Sequence, residues 1–100
     1  MLHLIIMAII NFTHKGLRRL YLDDDQRGVP PVIADKLRRM LGALDAANSV
    51  DDMDMYPGWR LHALKGDLKG YWSITVTGNW RLIFCWNNGD ASHLDLVDYH

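Results

Sequence analysis

The stretch Tyr71-Trp72-Ser73-Ile74-Thr75-Val76-Thr77-Gly78-Asn79-Trp80-Arg81-Leu82-Ile83-Phe84 decides the fold, because it contains two strand-like runs around a turn. Apolar and polar residues alternate in these runs, as in strands that bury one face. Thr77-Gly78-Asn79 is a hairpin signal, and Asn87-Asn88-Gly89-Asp90 marks a second turn further along. The predicted strands form an antiparallel meander that runs through Arg60–Leu64, Tyr71–Val76, Trp80–Trp86 and Ala91–Val97.

The chain before this meander predicts one strand and two helices. Leu4–Asn11 reads as a buried strand, and Thr13 is suited to cap the helix that follows it. The inward residues of this first helix are predicted to be Leu17, Leu20 and Tyr21.

A second helix is predicted from Pro30-Pro31 to about Ala47, because the first helical positions need no backbone donor. Its apolar stripe consists of Ile33, Leu37, Met40, Leu41 and Leu44. Asp35 and Arg39 have the spacing of a pair on its exposed side. The predicted fold class is therefore α+β, with an early strand, two helices and then a four-strand meander packed on the helices.

The alternation assigns two faces to the meander. Trp72, Ile74, Val76, Leu82, Phe84, Leu94 and Leu96 should face the helices. The opposite face should carry Tyr71, Ser73, Thr75, Arg81, His93, Asp95 and Tyr99. This second face is either a working surface or an ordinary solvated face, which antiparallel sheets commonly have.

Composition limits the class of protein. The chain has 100 residues, of which 49% are hydrophobic, enough for a single domain spanning residues 1–100. Cys85 is the only cysteine, so no internal disulfide forms and a reducing, cytoplasmic location is expected. No apolar run has the length of a membrane helix, and the apolar start lacks the features of a secretory signal.

Charge is distributed unevenly over the chain. The net charge is −1, all 12 acidic residues are aspartate, and the acidic runs are Asp23–Asp25 and Asp51–Asp54. The segment from Arg60 to Arg81 has four cations and one acid, a local charge of +3. A small basic site on a nearly neutral body is typical of a protein that does not collect nucleic acid by charge, so another partner would have to present any nucleic acid to it.

Several residues in the meander suit phosphate chemistry. Arg81 lies in an apolar strand, where its guanidinium could either hold a phosphate or pair with Asp95 or Asp98. The five histidines show no metal-ligand spacing, so no metal site is expected. The chain has no glycine-rich phosphate loop, so no cofactor is expected either. A triad of Ser73, His93 and Asp95 lacks a nucleophile elbow.

An ordered set of short motifs resembles the HigB-type toxins of the RelE/ParE superfamily. Phe12-Thr13-His14-Lys15-Gly16-Leu17-Arg18-Arg19-Leu20-Tyr21 is similar to the family's F-x-H-K-G-L-x-x-L-[FY]. Leu61-His62-Ala63-Leu64-Lys65-Gly66-Asp67 is similar to its L-H-x-L-K-G-D. Further matches are Gly70–Val76, Asn79-Trp80-Arg81 and Asp98-Tyr99-His100. The resemblance implies a RelE-like domain and a toxin that cuts messenger RNA on the ribosome.

By position, the resemblance implies a catalytic set of His62, Lys65, Arg81, Tyr99 and His100. Arg60, Lys69, Tyr71 and Ser73 are added as RNA contacts. The implied reaction is metal-free attack of the substrate's 2′-hydroxyl on phosphorus, with either His62 or His100 as general base. Many relatives have a second arginine in the strand from Ser73 to Thr77, where this chain has Thr75 and Thr77. From that departure we expect either weaker binding of the phosphate or compensation by Arg60 or Lys69.

The resemblance also implies partners. They are a HigA-type helix-turn-helix antitoxin, the ribosome with its messenger RNA, and operator DNA reached only through the antitoxin, with no membrane. One alternative is a toxin of the same fold that blocks a target such as a topoisomerase without cutting RNA. Another is a small RNA-binding module without catalysis, which the absence of paired aromatic stacking motifs disfavours.

Overall fold

Two helices precede one antiparallel sheet of four strands in the computed structural model, which describes residues 8–99. The elements are α1 (Lys15–Asp23), α2 (Ala34–Ala46), β1 (His62–Ala63), β2 (Tyr71–Thr75), β3 (Trp80–Asn87) and β4 (Asp90–Asp98). The strands lie in the order β1-β2-β3-β4, so each strand pairs with the one that follows it in sequence. The predicted α+β class and the four-strand meander are confirmed.

Helix α1 begins one residue later than predicted. Thr13 was expected to cap it, but His14 is the cap residue, and its Nδ1 accepts a 3.1 Å hydrogen bond from the backbone N–H of Leu17. The imidazole nitrogen accepts from a backbone N–H that has no partner within the first turn of the helix, as a threonine hydroxyl would. Leu17 and Leu20 are buried as predicted, and Tyr21 packs against the core while partly exposed.

Two glycines let α1 approach the turn that follows it. A Cβ added at Gly16 would lie 2.0 Å from the carbonyl oxygen of Gly28, and one added at Gly28 would lie 2.7 Å from the Cα of Gly16. Both distances are far inside van der Waals contact, so only glycine fits at these two positions. The close approach fixes the connection between α1 and the short 3₁₀ turn Gln26–Gly28.

Helix α2 follows a single 3₁₀ turn, Pro31–Ile33, which replaces the first turn of the predicted helix. The predicted pair of Asp35 with Arg39 is wrong, because Asp35 pairs with Arg38 at 2.6 Å, three residues away instead of four. Arg38 also contacts Asp24 at 2.7 Å and so ties α2 to the end of α1. This second partner explains why Arg38 is the residue that turns towards Asp35.

The helices and one face of the sheet form the core. Leu17 of α1, Leu37 and Leu44 of α2, and Leu82 and Phe84 of β3 are all fully buried. Ile74, Val76, Leu94 and Leu96 complete the sheet's contribution, as the alternation predicted. The core thus lies between the helices and this face of the sheet.

A bulge in β4 changes one face assignment. The register runs from Ile83–Asp95 to Cys85–Ser92, so β4 has one extra residue there. His93 has a positive φ of 53°. The prediction that His93 and Asp95 share a face by simple alternation is therefore wrong, because a bulged residue leaves the alternating pattern.

The predicted first strand is only partly within the described residues. Residues 4–7 lie outside them, and the remainder forms isolated parallel bridges from Ile9 to Ala91 and from Phe12 to Leu94. The segment therefore runs beside β4, at the edge of the sheet opposite β1. Within residues 8–99, none of the helices has the length and apolar character needed to cross a membrane.

Candidate functional site

The residues at one end of β2 and β3 surround a concave pocket. Its volume is about 490 Å³, and its lining residues are Gly58, Arg60, His62, Thr75, Gly78, Arg81 and Tyr99. Arg60, His62, Arg81 and Tyr99 were all predicted to act at the site. Segments far apart in sequence, before β1, on β3 and after β4, thus bring two cations, an imidazole and a phenol to one cavity.

Arg81 is held in this pocket by backbone carbonyls. Its Nη1 donates to the oxygens of Thr77 at 2.7 Å, Trp80 at 3.2 Å and Gly78 at 3.3 Å. All three acceptors belong to the β2–β3 turn or its border, so the turn fixes the guanidinium on the strand that follows it. Arg81 pairs with Thr75 and Val97 across the sheet, which places it in the row nearest the pocket.

Tyr99 covers the other side of this guanidinium. The guanidinium carbon of Arg81 lies 5.0 Å from the centroid of the Tyr99 ring, within the range of a cation–π contact. The backbone N–H of Tyr99 donates to the carbonyl of Asn79, so the segment after β4 is tied to the same turn. The Tyr99 side chain is nevertheless 55% exposed, so its ring is accessible to a ligand.

His62 enters the pocket from the opposite edge of the sheet. It lies on β1 and pairs with Ser73 of β2. Its ring Nδ1 lies 3.2 Å from the carbonyl oxygen of Arg60. Arg60 has a positive φ of 49°, which is uncommon for a residue with a side chain.

Lys65 and Lys69 are exposed but do not line the pocket, because they flank the turn between β1 and β2, at the end of β2 away from Thr75. Lys65 precedes the 3₁₀ turn Gly66–Leu68, and Lys69 follows that turn. The backbone N–H of Leu64 donates to the carbonyl of Tyr71 at 2.9 Å, which fixes the start of the turn on the sheet. Both ammonium groups are therefore presented at the β1 edge, where a chain bound in the pocket could continue.

Tyr71 and Ser73 occupy less accessible positions than predicted. Ser73 is only 2% exposed, so the expectation that it lies on an open polar face is wrong. Its short side chain lies between the longer ones of His62 and Ile83 in one row of the sheet. Tyr71 is half-buried. The pKa of its phenol is raised, mainly by burial and then by electrostatic interaction with Cys85 and Asp95.

His100, the last member of the predicted catalytic set, lies outside the described residues. Among residues 8–99, no three histidine, cysteine or aspartate side chains are grouped in a way that could hold a metal ion. The chemistry that the pocket itself offers is proton transfer by imidazole and stabilisation of negative charge by guanidinium groups.

A second cavity of similar size lies elsewhere. Its volume is about 510 Å³, and its lining residues are Ile9, Ile10, Asn11, Phe12, Arg18, Tyr21 and Leu22. This cavity is mostly apolar and lies between α1 and the segment beside β4. None of the predicted catalytic residues lines it, so the smaller cavity is the candidate site.

Solved structures share this architecture. The structure of a YoeB–YefM complex from Staphylococcus aureus matches with a TM-score of 0.59 at 17% identity, covering 95% of this chain and 98% of that chain. A YoeB dimer from the same organism matches with a TM-score of 0.57 at 17% identity, covering 94% and 97%. At this identity the likeness establishes the fold alone, which this chain shares with YoeB.

Sequence comparison defines the family more narrowly. Residues 10–100 match the family described as the RelE-like toxin of the type II toxin-antitoxin system HigB. A Proteus vulgaris protein named Endoribonuclease HigB is 44% identical over 92 residues, covering 92% of this chain and 99% of the relative. Toxin HigB-1 of Vibrio cholerae is 42% identical over 93 residues, covering 90% and 98%. The chain belongs to the HigB-like toxin family.

Three lining residues were not among the predicted site residues, namely Gly58, Thr75 and Gly78. Gly58 and Gly78 each form part of the pocket wall through backbone alone. Pro57-Gly58 and Thr77-Gly78-Asn79 are turn signals in the sequence. Such signals predict where the chain reverses, but not that both reversals meet beside Arg81.

Proposed function

We propose that this toxin is an endoribonuclease that cuts messenger RNA on the ribosome, by attack of the substrate's own 2′-hydroxyl, without a metal. The observation that carries the proposal is the convergence of Arg60, His62, Arg81 and Tyr99 on one pocket. The 44% identity with a relative named Endoribonuclease HigB supports the same activity. A toxin that acted only by blocking a protein surface would not need a proton carrier and two guanidinium groups in a cavity.

The proposed reaction requires two proton transfers and one displacement at phosphorus. An imidazole, from His62 or His100, takes the proton of the 2′-hydroxyl, because imidazole titrates near neutral pH. The 2′-oxygen attacks phosphorus, and the bond from phosphorus to the 5′-oxygen breaks. His100 or Tyr99 then protonates the leaving oxygen. The products carry a 2′,3′-cyclic phosphate and a 5′-hydroxyl.

The negative charge that builds on the phosphoryl oxygens needs fixed cations. We assign this role to Arg81, since the carbonyls that hold its Nη1 orient the guanidinium before substrate binds. A positioned donor of this kind contributes about 3–4 kcal/mol to transition-state binding, by analogy with oxyanion donors. We assign the flanking phosphates to Arg60, which lines the pocket, and to the exposed Lys65 and Lys69 at the turn between β1 and β2. Tyr71 is a peripheral RNA contact in this proposal, whereas the buried Ser73 has a structural role in the sheet.

The ribosome is the proposed partner that presents the RNA. The net charge of −1 gives the protein little long-range attraction for free RNA, while the +3 segment suits local contact with a strand held in place. Translated messenger RNA in the cytoplasm is therefore the proposed substrate. A HigA-type antitoxin with a helix-turn-helix domain is the proposed inhibitor, and operator DNA is reached only through it.

The test is induction of the toxin in cells, followed by mapping of RNA 5′ ends. We expect new ends inside translated codons with the wild-type chain and none above background with Arg81→Ala. Arg39→Ala is the matched control, because Arg39 is an exposed arginine on α2, away from the pocket. Growth arrest by wild-type toxin with intact messenger RNA would overturn the nuclease proposal and favour inhibition by binding alone.

A reconstituted reaction tests the two finer parts of the proposal. Purified toxin should cut messenger RNA on programmed ribosomes and leave the same RNA intact when ribosomes are absent. To test metal independence, the toxin is treated with EDTA, the chelator is removed, and intact ribosomes are supplied. Cleavage that survives this treatment supports the proposal, and cleavage that returns only after a divalent metal is added contradicts it.

A further inference from the structure

We infer that the backbone of Arg60 is a positioning element for His62: its carbonyl selects the tautomer with the proton on Nδ1 and leaves Nε2 as the base for the 2′-hydroxyl. The inference rests on the proposed nuclease function and makes it more specific. It assigns the first proton transfer to His62, and therefore the second to a different group.

A bulge just before β1 sets the position of this carbonyl. His62 pairs with Ser73, and the N–H of Leu64 donates to Tyr71, so regular pairing would place Arg60 opposite Thr75. The N–H of Thr75 instead donates to the carbonyl of Trp59 at 2.7 Å. Arg60 is thus an extra residue in the ladder, and its φ of 49° lies in the left-handed region that glycine adopts in one class of bulge.

The bulge changes what the Arg60 carbonyl can bind. In regular pairing this oxygen would accept from Thr75, but Trp59 has taken that donor. The Arg60 oxygen lies 3.2 Å from Nδ1 of His62 instead. A carbonyl oxygen only accepts hydrogen bonds, so Nδ1 must carry the proton whenever this bond is made. In the neutral ring the lone pair is then on Nε2.

The Arg60 carbonyl favours the tautomer of His62 that is the less populated one in water. A neutral histidine side chain free in water favours the other tautomer, with the proton on Nε2. Without the carbonyl, most His62 rings would therefore have their lone pair on Nδ1, close to the backbone. The bond to Arg60 reverses this preference and places the basic nitrogen at the far end of the ring, while His62 lines the pocket.

The neighbouring residues hold Arg60 in its unusual conformation. Trp59 is buried and stacks on Tyr56 with ring centroids 4.1 Å apart, while His62 is fixed in β1. Only two residues, Arg60 and Leu61, connect these anchors. A left-handed conformation in a residue with a side chain costs about 1–3 kcal/mol, and it persists only where the surroundings determine it. Two anchors this close together supply that constraint.

The direct test is the tautomer of His62 in the folded toxin, read from ¹⁵N chemical shifts of its two ring nitrogens. The spectrum is recorded at about pH 8.5, well above the ordinary imidazole pKa of about 6.5, so that the ring is neutral. We expect a protonated Nδ1 and an unprotonated Nε2. The opposite assignment would overturn the inference, whether or not the toxin cleaves RNA.

Two matched variants test the role of the backbone. Arg60→Asn and Arg60→Val both remove the guanidinium, but asparagine tolerates the left-handed conformation and the β-branched valine opposes it. We expect Arg60→Asn to keep the Nδ1–H tautomer and Arg60→Val to shift towards Nε2–H. Cleavage by Arg60→Val should be about three- to tenfold slower than by Arg60→Asn, since fewer His62 rings then have the lone pair on Nε2.

The outcomes separate this inference from the proposed function. If wild-type toxin does not cleave ribosome-bound RNA, the nuclease proposal fails, and the ¹⁵N spectrum still decides the tautomer. If wild-type toxin cleaves, but both variants have equal rates and the same tautomer, the positioning role of Arg60 is overturned. If Arg60→Val does not fold, the spectra of wild type and Arg60→Asn decide the question, and loss of the Nδ1–H form in Arg60→Asn contradicts the inference.

Discussion

The ring of Tyr99 lies over the guanidinium of Arg81 at 5.0 Å, and the backbone of Tyr99 is bonded to Asn79 in the turn that also holds Arg81. The segment after β4 and the β2–β3 turn therefore both contact the side chain of Arg81, from two directions. Carbonyls of the turn fix Nη1, and the phenol ring limits movement of the guanidinium plane. For the proposed role of Arg81 this arrangement is favourable, because a guanidinium that binds phosphate is most effective when it is oriented in advance.

The first prediction separates the ring of Tyr99 from its hydroxyl. With His100 as the general acid, Tyr99 contributes only its aromatic face on Arg81, so Tyr99→Phe should keep cleavage of ribosome-bound RNA within about threefold of wild type. Tyr99→Ala removes the face and should cost about tenfold or more, in line with a cation–π contribution of about 1–2 kcal/mol. The measurement is the single-turnover cleavage rate. Equal losses in the two variants would show that the hydroxyl, not the ring, matters.

The second prediction concerns the contact of Gly16 with Gly28. Gly16→Ala would place a methyl group 2.0 Å from the Gly28 carbonyl oxygen, so backbone must move. We expect a loss of about 3 kcal/mol in the free energy of unfolding, the cost of a serious overpacking. The measurement is urea denaturation followed by circular dichroism.

Gly42→Ala is the matched control for this substitution. Gly42 lies inside α2, and an added Cβ would meet nothing within 4 Å. Alanine is a better helix former than glycine, so this variant should be about 0.5–1 kcal/mol more stable than wild type. Opposite signs for the two variants are the expected result. A neutral Gly16→Ala would show that α1 and the following turn separate at little cost.

The sequence predicted the sheet well because alternation is a local pattern with a direct structural meaning. Tyr71–Val76 and Trp80–Trp86 correspond closely to β2 and β3, and the buried set of Ile74, Leu82 and Phe84 was predicted in full. The same rule failed where a strand gained a residue. The bulge at His93 arises from pairing between distant segments, which a strict period of two does not include.

The site was predicted only in outline for the same reason. Motifs identified His62, Arg81 and Tyr99, and Arg60 was added as an RNA contact; all four line one pocket. The bulge at Arg60 leaves no local signal, since arginine is not a residue that favours a positive φ. The burial of Ser73 depends on its neighbours across the sheet, whose sizes become relevant only once the register is known.

The third prediction is an acid dependence of stability at Asp25. Arg27 lies 2.9 Å from this carboxylate and, by hydrogen bonds and charge, lowers the pKa of Asp25 from 3.8 to about 2. A lowered folded-state pKa stabilises the protein above the unfolded-state value, and the gain disappears as the pH falls from about 3.8 through about 2. Wild type should therefore exceed Arg27→Gln in stability near neutral pH and match it at about pH 2.

The carboxyl titration of Asp25, followed by NMR, checks this cause directly. Arg27→Gln should return the pKa of Asp25 towards its usual range, whereas Arg39→Gln, on the exposed side of α2, should leave it low. High salt should have a similar but partial effect, because the Arg27 side chain is exposed. An unchanged titration in Arg27→Gln would assign the low pKa to another source.

The fourth prediction concerns the hydroxyl of Tyr21, which donates to Oδ1 of Asp45 at 2.8 Å. Burial, then the hydrogen bond and the charge of Asp45, raise the pKa of Tyr21 from 10.0 to about 12. A raised pKa means that the folded state keeps a proton that the unfolded state loses. The stabilisation is therefore complete below pH 10 and is lost as the pH rises towards about 12.

Phenolate absorbance and denaturation test this contact together. Tyr21→Phe should remove the tyrosine that ionises last and lower the free energy of unfolding by about 1 kcal/mol at neutral pH. Tyr56→Phe is the control, because Tyr56 is 43% exposed and contacts Trp59 through its ring, so the loss should be near zero. Asp45 also accepts from the N–H of Ala8 at 3.2 Å. Asp45→Ala should therefore destabilise the protein more than Tyr21→Phe, and equal losses would show that the Ala8 bond adds nothing.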